Sequence, residues 1–155
     1  MGISFDIPGK GHYSIENIVF DLNGTLGVDG ELRSTTFELL SRLSERVHAY
    51  ILTADTHNSA SLLQEHFQVI VLSGTDTTFA KRDFIKEIGR DHTAAVGNGA
   101  NDAAMLEESL LGIAVVEEEG CSAKILGKAD ILTRNIDDAI KLFLNPRRLT
   151  ATLRK

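Results

Sequence analysis

The stretch Asn17-Ile18-Val19-Phe20-Asp21-Leu22-Asn23-Gly24-Thr25 runs from an apolar segment into a carboxylate and then a turn. Ile18, Val19 and Phe20 are β-prone and show no polar alternation, which is the pattern of a parallel strand buried on both faces. Asn23-Gly24 is a turn signal. A strand over 17–22 therefore sets Asp21 at its carboxyl end, where open parallel sheets gather their ligands.

Similar apolar runs recur at 48–53, 69–72, 93–97, 112–116 and 130–133, separated by segments of helical period. This alternation is that of a parallel sheet with helices on both faces, an α/β class chain. Phe37, Leu40, Leu43 and Val47 fall at helical spacing, and Thr35 with Glu38 makes a capping box, so a helix is expected over 35–46. Further helices are expected over 57–66, from an N-cap at Thr78 to a terminating Gly89, from near Asn101, and from an N-cap at Asn135 to a stop at Pro146. Ahead of these, Ile3, Phe5 and Ile7 alternate with polar residues before Pro8-Gly9, the pattern of an edge strand or hairpin within 1–14. Leu26 to Leu32, centred on Asp29-Gly30, reads as a short hairpin.

A chain of 155 residues suits one domain over 1–155. The net charge of -6 argues against a nucleic-acid partner, which needs a basic face to displace counterions. No apolar run is long enough to span a bilayer, and Met1 to Lys10 lack a secretory leader's pattern, so a cytoplasmic protein without a membrane partner is expected. The lone Cys121 reads as a buried small apolar residue. Arg147, Arg148, Arg154 and Lys155 make 147–155 a basic tail, solvated or in contact with another subunit. The histidines are scattered, and of the five only His57 follows closely on a strand end.

Four polar sites punctuate the strand ends and helix starts: Asp21 to Thr25, Thr53 with the following Ala54, Lys81, and Gly97-Asn98-Gly99-Ala100-Asn101-Asp102. Each alone has an ordinary explanation as a turn, a cap or a surface lysine. In this order and spacing they resemble the four motifs of the haloacid dehalogenase superfamily. Asp21, Asn23 and Thr25 match D-x-D-x-T; Thr53 matches the hydroxyl that ends the second strand. Lys81 matches the motif lysine better than Lys86, because Phe84, Ile85 and Ile88 continue its helix face. The last stretch matches G-D-G-x-N-D. Within the superfamily the pattern looks closest to the phosphorylation domain of P-type ion-pumping ATPases and their soluble relatives. The resemblance implies a three-layer α/β/α, Rossmann-like fold with a mainly parallel sheet and a hairpin flap after the first motif.

It also implies roles. Asp21 is the nucleophile that takes up phosphate, with Asn23, Thr53 and Lys81 as the other catalytic positions. Mg²⁺ is held by Asp21, the Asn23 carbonyl, Asn98 and Asp102. Phosphoryl oxygens meet Asn23, Gly24, Thr25, Thr53, Ala54, Lys81 and Asn101. Oxygen ligands with retained waters suit Mg²⁺.

Two positions depart from the family's phosphatase pattern, Asn23 and Asn98, each an amide in place of a carboxylate. The acid that protonates the leaving group in family phosphatases stands at the position of Asn23. An amide neither gives nor takes that proton at neutral pH, so slow turnover is expected. Only 27 residues separate Thr25 from Thr53, and the stretch from Thr53 to Lys81 is filled by a helix, a strand and a loop, so neither insertion point has room for a cap domain. An uncapped site admits a phosphorylated substrate as large as a macromolecule, or ATP, or is covered by another copy of the chain. The competing reading is a regulatory or phosphate-binding module that keeps the fold without useful catalysis.

Overall fold

A computed structural model describes residues 1–27, 31–54 and 58–155, the side chains of 58 and 59 apart. Six strands form one parallel sheet: β3 (Asn17–Asp21), β4 (His48–Thr53), β5 (Gln68–Val71), β6 (Thr93–Gly97), β7 (Leu111–Val115) and β8 (Ile131–Thr133), in the order β5-β4-β3-β6-β7-β8. The chain starts at the centre on β3, moves outward through β4 to β5, and crosses back to β6. The strand order therefore reverses between β3 and β6, and a crevice opens there at the carboxyl ends.

The sheet is covered on both faces because its strands are apolar on both. On one side, Ile18 and Phe20 of β3 and Ile113 and Val115 of β7 pack with Leu40 and Leu43 of α1 (Ser34–Ser44) and with Ile140 and Phe143 of α5 (Ile136–Leu144). On the other, Val19, Leu52, Ala95 and Ala114 pack with Ile85 of α3 (Thr78–Ile88) and with Met105 and Leu106 of α4 (Ala103–Glu108). The short α2 (Asn58–Leu63) precedes β5. This is the three-layer α/β/α arrangement expected from the sequence, and among the described residues no further domain stands over the carboxyl edge.

A separate antiparallel hairpin, β1 (Ile3–Ile7) and β2 (Gly11–Ile15), buries Ile3, Phe5 and Ile7 in the larger core. Its cover is α6 (Pro146–Leu153), whose Leu149 and Leu153 are buried. Thr150 Oγ1 donates to the Asp6 carbonyl at 3.1 Å, and the Lys155 amide donates to that of Pro8 at 3.1 Å. The basic segment is thus a docked helix rather than a solvated tail. Pro146 begins this helix after ending the previous one, since a missing N–H costs nothing at a first helical position.

Other expectations need correction. Helix α1 starts from Arg33 without a side-chain cap, because the Thr35 and Thr36 hydroxyls donate to Asp137 at 3.0 and 2.5 Å instead. At α3 the N-cap is Thr77, and the Thr78 amide donates to Asp76 Oδ1 at 3.0 Å. The helix expected near Asn101 opens as a 3-10 turn over Ala100–Asp102 before α4 begins. Cys121 is half-buried, not buried. The tip of the Leu26 to Leu32 hairpin and His57 lie outside the described residues. Among the described residues no helix is long and apolar enough to cross a membrane.

Candidate active site

Strand β3 delivers Asp21 to the crevice, buried at 6% exposure. Its backbone leaves the sheet at once: the Gly27 amide donates to the Leu22 carbonyl at 2.9 Å, and the Gly24 amide donates to the Gly27 carbonyl at 2.8 Å. This bridge uses the groups on either side of Asn23, so the carbonyl of Asn23 itself turns the opposite way from Gly27. The bend requires Gly24. Its φ is +79°, and a Cβ there would lie 2.6 Å from Asn98 Nδ2. Thr25, fully buried, returns its hydroxyl to Asp21 Oδ2 at 3.2 Å and to Asn98 Oδ1 at 3.1 Å.

Lys81 reaches the crevice from α3, on the buried face it shares with Ile85. Its ammonium donates to Asp21 Oδ1 and to Asp102 Oδ1, both at 2.8 Å, and its side chain is almost sealed from solvent. Asp102 is held in turn by the loop after β6, where the Asn98 and Gly99 amides each donate to Oδ2 at 3.0 Å. Gly97 makes room for it, since a Cβ there would lie 2.5 Å from that oxygen. The Asn101 side chain donates from Nδ2 to Thr77 Oγ1 at 3.1 Å, tying this loop to the start of α3 and so fixing the base of Lys81. Asn98 Nδ2 donates to the Gly120 carbonyl at 3.2 Å. Thr53 is buried at the end of β4, one residue past Leu52, the register partner of Asp21; Ala54 follows it and is exposed.

Two carboxylates and one ammonium share this dry space. Burial pushes the Asp21 carboxyl up from 3.8 to about 7, the Asp102 charge adds to the rise, and Lys81 and Thr25 pull it back only in part. For Lys81, burial works against the charged form, but attraction to Asp21 and Asp102 outweighs it and leaves the ammonium above its ordinary value. The full set of charges sums to -1, which repels a phosphate dianion.

A cation would reverse that sign, and the oxygen arrangement fits one. Thr25 has a single hydroxyl proton for two acceptors, Asp21 Oδ2 and Asn98 Oδ1, so at any moment it can donate to one of these converging oxygens and not to the other. Asp102, expected among the metal ligands, already has Oδ1 on Lys81 and Oδ2 on two amides. Among the described residues, the oxygens that could hold an ion are those of Asp21 and Asp102, the Asn23 carbonyl and Asn98 Oδ1, since a carboxylate oxygen that accepts one hydrogen bond keeps a further lone pair. They are hard oxygens suited to Mg²⁺ completed by water, with the carboxylates of Asp21 and Asp102 as the anionic ones. No group of three or more His, Cys, Asp or Glu that could hold a metal occurs among the described residues.

The sequence reading missed Thr77 and the Gly120 carbonyl, which lock Asn101 and Asn98 through space, and it missed a cavity beside Asn23. That cavity, of about 390 Å³, lies between the turn after β3 and helices α1 and α2, with Phe37 and Leu62 in its wall. Apolar spacing marks such residues as helix faces and does not say that a face is left uncovered.

The chain is 38% identical over 79 residues to the uncharacterized protein MJ0073 of Methanocaldococcus jannaschii, a match covering 48% of this chain and 85% of that protein. It is 29% identical over 96 residues to a Staphylococcus aureus protein named "Probable cadmium-transporting ATPase", covering 59% of this chain and 13% of the other. The expected closeness to ion-pumping ATPases has only the weak support of that partial match. Among solved structures, the 3-deoxy-D-manno-octulosonate 8-phosphate phosphatase of Moraxella catarrhalis, in complex with magnesium ion, phosphate ion and KDO, gives a TM-score of 0.66 at 17% identity, over 88% of this chain and 90% of that one. No protein-family model matches the chain. The likeness to that phosphatase is one of fold, and by sequence the chain belongs to one family with MJ0073.

Proposed function

We propose that this chain is a Mg²⁺-dependent phosphoryl-transfer hydrolase that works through an aspartyl phosphate on Asp21 and releases it slowly to water. The observation that carries the reading is the buried bridge in which Lys81 holds Asp21 and Asp102 at 2.8 Å each, at the point where the strand order reverses. Bound Mg²⁺ supplies positive charge that draws the substrate phosphate in and offsets charge developing on its oxygens. Within the chain, Lys81 fixes the Asp21 carboxylate and neutralises part of its repulsion toward the phosphate. Thr25 orients the other Asp21 oxygen. Thr53 and the Asn23 backbone amide would hold phosphoryl oxygens, with Gly24 keeping the turn in the conformation that brings them together. An Asp21 oxygen attacks phosphorus, the bond to the leaving oxygen breaks, and that oxygen must take its proton from water because Asn23 has none to give.

The open carboxyl edge suits a phosphorylated substrate, a macromolecule included, or ATP. A second reading, a phosphate-binding or regulatory module, draws on the same two amides: Asn23 removes the acid, and Asn98 removes one negative charge from the ion site. The two are separated by offering ³²P-labelled acetyl phosphate and ATP with Mg²⁺. The expected outcome is label on the wild type that hydroxylamine removes, and none on Asp21→Asn. Unlabelled wild type with both donors sinks the enzyme reading and leaves the binding module.

A further inference from the structure

In an in-line displacement the leaving oxygen departs on the side opposite the attacking carboxylate. Asp21 is buried, whereas Asn23, two residues on, is exposed and stands in the wall of the 390 Å³ cavity. Leu22 and Asn23, the two residues after Asp21, both line this space, so it lies beside the carboxylate and can take the leaving group of a phosphoryl group seated there. Its apolar wall includes Leu32, Phe37, Leu62 and Leu63. Leu62 is 65% exposed, an apolar side chain left facing water at the lining of a pocket. The His66 ring meets Phe37 edge-on at 5.1 Å, which gives the lining a flat aromatic face. Among the described residues, the charged ones lining the cavity are Glu31 and Glu65, both exposed carboxylates, in a chain of net charge -6. The volume suits a small organic group held by apolar walls and a few polar ones.

We propose that this cavity is the leaving-group subsite and that the substrates are phosphate monoesters of ring-bearing apolar alcohols without negative charge. The assignment rests on the phosphoryl-transfer reading of Asp21. Acidic sugar phosphates and nucleoside polyphosphates bring further anions toward Glu31 and Glu65 and are disfavoured by repulsion.

Binding is the test, because it separates the two claims. With Mg²⁺ present, calorimetry compares methyl phosphate, phenyl phosphate and 4-carboxyphenyl phosphate. Burial of the ring makes phenyl phosphate bind about tenfold more tightly than methyl phosphate. The added carboxylate cancels most of that gain, and Glu31→Gln with Glu65→Gln restores it. Leu62→Asp brings the phenyl-to-methyl ratio to about one; the exposure of Leu62 makes the folded state tolerant of this change, which circular dichroism checks. Equal binding of the phenyl and methyl esters, no detectable binding of phenyl phosphate, or a ratio untouched by Leu62→Asp each overturns the subsite. Tight binding of phenyl phosphate without label on Asp21 or phosphate release overturns the hydrolase reading alone.

Discussion

Exchanging a carboxylate for its amide changes side-chain size and shape very little, so Asn23 occupies an acid's place while lacking the proton that the place is used for. General acid–base assistance contributes typically about 10² to 10⁴ in rate. Asn23→Asp is therefore expected to raise phosphate release by about 10²-fold over wild type, measured with phenyl phosphate and Mg²⁺, while Asp21→Asn abolishes release in either background. A double variant that still turns over would move the nucleophile elsewhere. Asp21, Lys81 and Asp102 were legible in the sequence because each combines a residue type with a place, a strand end or a helix start. As a match to the motif lysine, Lys81 was preferred to Lys86 because Phe84, Ile85 and Ile88 continue its helix face, and the structure buries the first and exposes the second. Thr77 and Gly120 were not legible. Their contacts to Asn101 and Asn98 cross 24 and 22 residues, and at Gly120 a backbone carbonyl that any residue carries makes the bond.

At the scale of elements, local signals succeeded where nothing competed for the same group. Asn135 is the clear case: its side-chain oxygen accepts from the Asp138 amide at 2.8 Å, satisfying one of the first-turn donors of α5. Replacing it with Ala is expected to cost about 1 kcal/mol, read from a urea transition with unchanged slope. The Thr35 pattern is equally good on paper, but α1 and α5 pack side by side, and Asp137 captures the hydroxyls of both Thr35 and Thr36. Thr35→Ala is then a change in an interhelix contact, not in a cap. Pro146 shows a different limit. The residue that stops one helix is favoured at the first position of the next, and only the burial of Leu149 and Leu153 against the β1–β2 hairpin decides between the two.

Across the whole molecule, a parallel sheet covered by helices on both faces was implied by the alternation of strands and helices, whereas the electrostatic cost of the crevice depends on how completely the layers seal it. Because burial raises Asp21 from 3.8 to about 7, the folded chain binds a proton there more tightly than the unfolded chain does. Its stabilising contribution is complete below pH 3.8 and is lost as pH rises through about 7. Lys81 is raised as well, but its contribution stays constant through that window because it is lost only above the ordinary lysine range. Metal-free protein in EDTA is therefore expected to melt at a lower temperature at pH 7.5 than at pH 5.5. Asp21→Asn removes that share of the decline and isolates it from other titrating groups. An ion bound at the oxygens of Asp21, Asn23 and Asn98 must displace this proton, so added Mg²⁺ raises the melting temperature more at pH 7.5 than at pH 5.5. A Mg²⁺ shift that is equal at both pH values, or that persists in Asp21→Asn, places the ion away from this carboxylate.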